Sequence, residues 1–182
     1  QPGFLSCCGS KSEITMSMVL DEQNAVLKCY LAHVAELYQM IATWCEAWDV
    51  QVTQHEIQLE EERHGVYTAP MLRLIGNGER ELAALVPFGE SILGAHGRVD
   101  LLGAYGRREK LVYLLEGGPT LTTHAEVGVG GEAAERTRRL YRGVEVDGWY
   151  WVTPGPIRRA HLLDPEIFAD LLSAVSGDGF QP

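Results

Sequence analysis

The hydrophobic positions between Asp21 and Trp48 repeat at intervals of three and four residues, which predicts a long amphipathic helix. Asp21 is a suitable N-cap, and Glu22 suits the positive end of a helix dipole. The apolar stripe of this predicted helix consists of Leu27, Tyr30, Leu31, Val34, Leu37, Tyr38, Ile41, Trp44, Cys45 and Trp48.

After Asp49 the hydrophobic period falls to two, which is typical of strands with one wet face. The apolar parity changes between Val50–Val52 and Ile57–Leu59, so we expect a bulge or bend between them. Pro70 lies inside the next apolar run and favours an edge strand or an interruption. The segment Gly76-Asn77-Gly78 predicts a hairpin turn, because Asn and Gly adopt positive φ at low cost.

The second half of the chain predicts more strands and a closing helix. Asp164 is the expected N-cap of that helix, Pro165 its first residue and Gly177 its end. The predicted strands are Leu82–Val86, Arg98–Gly103, Lys110–Glu116, a continuation of the sheet over Leu121–Val129, a hairpin of Arg139–Val146 with Trp149–Val152, and a short strand at Ile157–His161.

These elements predict an α+β fold. We expect a twisted, mostly antiparallel sheet of seven or eight strands, with a long N-terminal and a short C-terminal helix packed on it. The 182 residues suit one domain, which we place at residues 20–176. Residues 1–19 are predicted to be a flexible tail or an added extension, because Ser6–Ser17 shows no core pattern, and residues 177–182 a C-terminal tail.

Cysteine usage and hydropathy predict a cytoplasmic protein. Cys7 and Cys8 are adjacent, Cys29 and Cys45 lie in one predicted helix, and no CxxC pair indicates zinc or a disulfide framework. The sequence has no run of about 18 apolar residues and no basic, apolar leader. We therefore expect reduced thiols and no membrane segment.

The net charge of −10 argues against binding nucleic acid or anionic lipid by bulk electrostatics. The charge is uneven, because residues 1–91 carry a net of −8 and residues 92–182 a net of −2. The acidic positions Glu56 and Glu60–Glu62 are interpreted as a solubilising strand edge. The basic residues of the second half bunch at Arg107, Arg108 and Lys110, at Arg136, Arg138, Arg139 and Arg142, and at Arg158 and Arg159.

If the predicted hairpins are neighbours, these arginines form one basic patch on an acidic body. Such a patch suits a carboxylate-rich protein or, as an alternative, a nucleic acid, through bidentate arginine contacts. Trp149 and Trp151 share one strand face, where core packing is the more common use and an exposed pair would be an interface anchor. The candidate binding residues are therefore Arg138, Arg139, Arg142, Arg158, Arg159, Trp149 and Trp151.

Asp100 on one predicted strand and Glu116 at the end of the next resemble the carboxylates of the PD-(D/E)XK nucleases. The resemblance implies Mg²⁺ held by the two carboxylates and a lysine that orients water. The chain has Gly118 where that family carries the lysine, and Pro119 opposes the helix that should follow. Lys110 is the residue that could substitute in space.

No other catalytic or cofactor motif is visible. The six histidines form no HxxxH or HxH pair, and no nucleophile elbow or phosphate loop is present. We therefore predict no cofactor and no metal site. The Gly-rich segment 87–97 could form the rim of a small-ligand pocket.

The sequence favours a small, bacterial, non-catalytic protein-binding module, an accessory, regulatory or immunity-type subunit. The length of the first helix also leaves room for a homodimer. The alternatives are a divergent metal-dependent nuclease that uses Asp100, Glu116 and Lys110, and a small-ligand binder.

Overall fold

The computed structural model describes residues 11–90, 94–125, 134–156, 158–177 and Phe180. It confirms the α+β class, with two helices and a seven-stranded antiparallel sheet. The elements are α1 Lys11–Ala47, β1 Gln51–Glu61, β2 Gly65–Gly76, β3 Arg80–Gly89, β4 Arg98–Gly103, a 3₁₀ turn at Ala104–Gly106, β5 Arg108–Leu114, β6 Thr120–Ala125, β7 Ala134–Arg139, β8 Gly148–Val152, β9 Ala160–Leu162 and α2 Pro165–Ser176.

The sheet has the order β1-β2-β3-β4-β5-β8-β9, so neighbouring strands in space are mostly neighbours in sequence. Strands β6 and β7 pair only with each other and form a separate two-stranded sheet, which we call the arm. The predicted continuation of the main sheet over Leu121–Val129 is therefore wrong up to Ala125, and residues 126–129 lie outside the described residues. In the part of the chain that the structure describes, no helix is long and apolar enough to cross a membrane.

Helix α1 spans Lys11–Ala47, so it extends at least ten residues before the predicted N-cap Asp21. No glycine or proline lies between Lys11 and Ala47 to interrupt it. The predicted tail is therefore helical over its second half, while residues 1–10 lie outside the described residues.

Both helices cover the same face of the sheet. Trp44 of α1 contacts Phe168 of α2, with ring centroids 5.7 Å apart. Helix α2 lies directly on β4 at Gly103, where a Cβ atom would collide with the backbone carbonyl of Val175. The buried residues on this face include Val34, Leu37, Ile41, Leu72, Leu74, Leu85, Val99, Leu101, Leu111, Phe168 and Leu172.

Strand β1 keeps one continuous register with β2 from Gln51 to Glu61, so the predicted bulge is wrong. The apolar residues change parity because the two halves of β1 bury opposite faces. Val52 lies opposite Leu74 and packs on the helix-covered core, whereas Leu59 lies opposite Tyr67 on the other face. Since paired residues of an antiparallel sheet share a face, a strand without a bulge accounts for the pattern, and the alternative of a bend is not tested by the register.

The predicted strand over Arg139–Val146 is also wrong, because β7 ends at Arg139 and the chain is irregular up to β8. The predicted helix start is confirmed, since an Asp164 carboxylate oxygen accepts a hydrogen bond from the Ile167 N–H at 2.8 Å. Beyond Gly177, the ring of Phe180 contacts Trp48 with centroids 5.8 Å apart. The chain therefore returns to the core after α2.

Candidate binding surface

Four of the candidate arginines lie in segments that the backbone joins. The Arg142 N–H donates to the Arg158 carbonyl at 3.1 Å, and the Ala160 N–H donates to the Arg142 carbonyl at 2.8 Å. Arg142 and Arg159 form a parallel bridge, and Arg139 ends β7 three residues earlier. The structure thus brings the irregular segment after β7 against the start of β9, which the sequence could not show.

The side chains of the candidate arginines are accessible to solvent. Arg138, Arg139, Arg142, Arg158 and Arg159 are all exposed. Within the described residues, the ion pairs of arginine involve Arg63, Arg73, Arg98 and Arg108 and none of these five. We call the five residues the arginine cluster.

The cluster has an acidic border. Arg139 lines a shallow depression together with Glu116 and Glu145. Both glutamates are exposed, and they reduce the positive charge on that side. Of the cluster, only Arg139 lines this depression with the two glutamates.

The arm carries two residues of the cluster, Arg138 and Arg139. Its six residue pairs run from Thr120 opposite Arg139 to Ala125 opposite Ala134, and the Thr122 and Thr137 hydroxyls lie 3.0 Å apart across it. Leu140 N–H donates to the Pro119 carbonyl at the base of the arm. A two-stranded sheet of this kind has little stability of its own in water. A partner protein that packs on the arm would therefore stabilise it.

Exposed apolar side chains accompany the arginines. Leu121 lies directly opposite Arg138 on the arm and is 42% exposed. Leu162 and Val146 are similarly exposed, and both lie beside Tyr150: Leu162 is its partner on β9, and the Tyr150 hydroxyl donates to the Val146 carbonyl. Arginine beside exposed aliphatic groups is the composition of a protein interface.

The two tryptophans lie elsewhere. Trp149 is buried in the core, where its indole N–H donates to the His33 carbonyl at 2.9 Å. Trp151 is half-buried, and its indole N–H donates to a Glu109 carboxylate at 2.8 Å. Trp149 therefore has the core-packing use that its sequence position favoured, whereas Trp151 packs partly against the same core and keeps part of its surface exposed.

The nuclease constellation does not converge. Asp100 lies opposite Lys110 in the β4–β5 register, whereas β5 continues for four residues beyond Lys110, about 13 Å, and Glu116 lies in the turn after it. The structure therefore does not bring the two carboxylates together. Asp100 instead is buried and accepts two hydrogen bonds from Arg98, at 2.6 and 2.8 Å, with Arg108 at 3.5 Å. Its role is to satisfy these arginines in the sheet.

A second group of polar side chains, which the sequence did not indicate, fastens the tip of the β1–β2 hairpin to β3. Glu61 accepts hydrogen bonds from the Tyr67 hydroxyl and from the Glu90 N–H. His64 Nε2 lies 3.1 Å from a Glu90 carboxylate oxygen, and the His64 side chain is only 2% exposed. We call Glu61, His64, Tyr67, Gly89 and Glu90 the latch.

Gly89 adopts a backbone conformation that favours glycine and lies against the Glu61 carboxylate. A Cβ atom at this position would lie 2.7 Å from a Glu61 carboxylate oxygen, and the backbone has φ +146°. The Gly89 N–H also donates to the Tyr30 hydroxyl of α1 at 3.2 Å. Burial raises the pKa of Tyr67, and the adjacent Glu61 carboxylate raises it further. Tyr67 is therefore a neutral hydrogen-bond donor at physiological pH.

A groove of about 880 Å³ lies beside the latch, between Leu59–Arg63 and Val86–Gly89. The Phe88 ring is 53% exposed there, and the Arg98 guanidinium stacks on it at 3.9 Å from the ring centroid. The predicted pocket rim at 87–97 thus contributes residues 87–89 to a groove, whereas residues 91–93 lie outside the described residues. Glu60–Glu62, interpreted from the sequence as a solubilising edge, form part of its wall.

No protein-family model, curated protein or solved structure matches this chain. A function therefore has to be argued from its own geometry and chemistry. Of the described residues, no group of three or more His, Cys, Asp or Glu side chains is arranged to hold a metal ion.

Proposed function

We propose that this chain is a non-catalytic protein-binding module that receives an acidic protein on the arginine cluster and the arm. The observation that carries the proposal is the set of five exposed arginines beside a two-stranded arm, with no ion pair to the described residues. An accessory, regulatory or immunity-type subunit of a bacterial system would act in this way, by occupying a surface of its partner.

An acidic protein fits this surface better than a nucleic acid does. The net charge of −10 repels a polyanion that extends beyond the cluster, whereas a compact acidic patch contacts only the cluster. Leu121, Val146 and Leu162 add apolar area that a phosphate backbone would not use. Arginine is also favoured over lysine at protein interfaces, because its guanidinium binds carboxylates through two parallel hydrogen bonds.

The test begins with a photo-crosslinking residue at Leu121, used in the native host to identify the partner by mass spectrometry. Binding of the purified partner is then measured by calorimetry for the wild type and for Arg138→Ala/Arg158→Ala. We expect the double variant to weaken binding at least tenfold, and we expect higher salt to weaken the wild-type complex.

A matched control removes two cations elsewhere, Lys28→Ala/Arg73→Ala, and so has the same net charge. This control should bind as the wild type does. Equal losses of affinity in both double variants would show that the net charge of the chain, rather than the arginine cluster, determines binding. If the crosslinking residue at position 121 captures only nucleic acid, the nucleic-acid alternative is favoured.

A second candidate function, binding of a small ligand, is supported by the groove of about 880 Å³ beside the latch. Its apolar wall of Leu59, Val86 and Phe88 suits a ligand of drug-like size. A thermal-shift screen of small molecules tests it, with Phe88→Ala as the variant that should lose the shift and Leu162→Ala as an exposed apolar control away from the groove. A shift that survives Phe88→Ala would rule the groove out.

A further inference from the structure

Cys29 and His33 lie one turn apart on α1, away from the arginine cluster and the latch. The Cys29 thiol is exposed, and its Sγ atom lies 3.7 Å from His33 Nε2. The His33 ring is held in place by Tyr113, on which it stacks with centroids 3.7 Å apart and planes 7° from parallel. Two of the side-chain types that bind zinc thus face each other in a fixed geometry, with solvent access through Cys29.

The separation matches a zinc chelate. Zn–S and Zn–N bonds of about 2.3 and 2.05 Å at a tetrahedral angle place sulfur and nitrogen about 3.6 Å apart. The observed 3.7 Å needs only a small opening of that angle. A zinc ion could therefore bind both atoms with little movement of the helix.

A single copy supplies only these two ligands, since the described residues contain no group of three or more candidate ligands. Structural zinc sites are closed by four ligands. We propose that Cys29 and His33 form half of a Zn²⁺ site, and that the same pair from a second copy of this chain completes a Cys₂His₂ tetrahedron across a two-fold axis.

The exposed face of α1 suits such a pairing. Ala25 and Ala32 flank Cys29 on the exposed side, so two helices can approach closely. Consider two antiparallel α1 helices related by a two-fold axis that passes midway between Cys29 and His33. At a rise of ~1.5 Å per residue, Lys28 of one copy is then displaced by about 3 Å along the helix from Glu36 of the second copy. Both side chains are exposed, so they can form two symmetric ion pairs.

Metal binding needs a neutral imidazole and a deprotonated thiol. Each Cys29 thiol loses its proton to solvent when the Zn–S bond forms, so one zinc ion releases two protons per pair of chains. Coordination through Nε2 leaves the ring proton on Nδ1, which is buried without a hydrogen-bond partner in the described residues. This lowers the affinity relative to a site with a paired Nδ1.

The experiment titrates the metal-free full-length chain with Zn²⁺, and separately with Co²⁺ as a spectroscopic substitute. Light scattering after size-exclusion chromatography measures the mass, and absorption detects the thiolate-to-cobalt charge-transfer band. We expect dimers at one metal ion per two chains, with a band typical of tetrahedral coordination. Cys29→Ser and His33→Gln should lose both, with circular dichroism to verify that they are folded.

Two further variants keep the outcome decisive. Cys7→Ser/Cys8→Ser should retain the dimer and the band, and Cys29→His should retain zinc-dependent dimerisation but lose the charge-transfer band. The proposal is overturned if metal binds at one ion per chain without dimers, if Cys7→Ser/Cys8→Ser abolishes binding, or if Cys29→Ser binds as the wild type does.

Discussion

The two hairpins that leave the sheet, β1–β2 and the arm, have opposite relations to the rest of the chain. The tip of β1–β2 extends beyond its pairing with β3, which ends at Leu72 opposite Leu85, and the latch ties it back. The arm also leaves the sheet, but in the described residues its strands pair only with each other, and Arg138 and Arg139 have no ion pair there.

The difference separates residues that stabilise the fold from residues that are available to a partner. In the latch, polar side chains are buried and hydrogen-bonded, so each contributes to stability and would cost free energy if its partner were removed. In the arm, the polar side chains that the structure describes are exposed to water, so their removal leaves no buried group unsatisfied. Substitutions should therefore affect stability in the first hairpin and binding in the second.

The largest effect is expected at Gly89. The change Gly89→Ala places a methyl group against the Glu61 carboxylate at a backbone φ that favours glycine, and should lower the free energy of unfolding by about 3 kcal/mol or more. Urea denaturation measures it. Gly78→Ala is the control, because φ is +79° but no atom lies within 4 Å of the added Cβ, so only about 1–2 kcal/mol of strain is expected. Equal losses at the two positions would mean that Glu61 moves aside freely.

A smaller loss is expected when one hydrogen bond of the latch is removed. Tyr67→Phe deletes the hydroxyl that donates to the Glu61 carboxylate, and should cost about 1.5 kcal/mol in the same assay. Tyr141→Phe removes a hydroxyl that makes no hydrogen bond to the described residues, so its unfolding midpoint should stay near that of the wild type. If the two variants unfold alike, the Tyr67 bond does not contribute.

The latch should also sensitise the fold to alkali. The folded-state pKa of Tyr67 is raised, so its contribution is complete below the unfolded value of about 10 and is lost as the pH rises toward the folded value. Between pH 9 and about pH 11, the wild type should lose about 1 kcal/mol more than Tyr67→Phe. The urea midpoints of both proteins at the two pH values provide the comparison. If both proteins lose the same stability between these pH values, the alkaline sensitivity comes from groups other than Tyr67.

The smallest change in stability is expected in the arm. Arg138→Ala/Arg139→Ala removes two exposed side chains, so the free energy of unfolding should stay within about 0.5 kcal/mol of the wild type. Thermal unfolding monitored by circular dichroism measures this. A loss above 1 kcal/mol would show that these arginines hold the fold together, and would contradict the contrast with the latch.

The elements that were predicted correctly are specified by residues that lie close together in the sequence. The stripe of α1, the Asp164 cap and the Gly76–Gly78 turn are each signalled within a few positions, and β4 was predicted at its observed bounds. The start of α1 was misplaced because the weaker pattern before Asp21 concealed a segment without helix-breaking residues.

The site depends on contacts between distant residues, and these were not predictable. Arg142 and Arg158 are sixteen residues apart in the sequence, and Glu61 and Gly89 twenty-eight. The parity change in β1 was visible, but it was interpreted as a bulge because a second buried face beside Leu59 was not considered. The arginine positions were found from composition alone, whereas their convergence required the backbone bonds around Arg142.

The close contact of α2 with β4 at Gly103 has a consequence for finding relatives of this chain. No side chain larger than hydrogen fits between that strand and the Val175 carbonyl, so any homologue that keeps this helix–strand contact must keep the glycine. Gly103, Gly89 and the Asp164-Pro165 helix start are thus three positions at which the residue type is constrained, while the residues around them are free to vary. A pattern built on them could recognise divergent members that overall identity would miss.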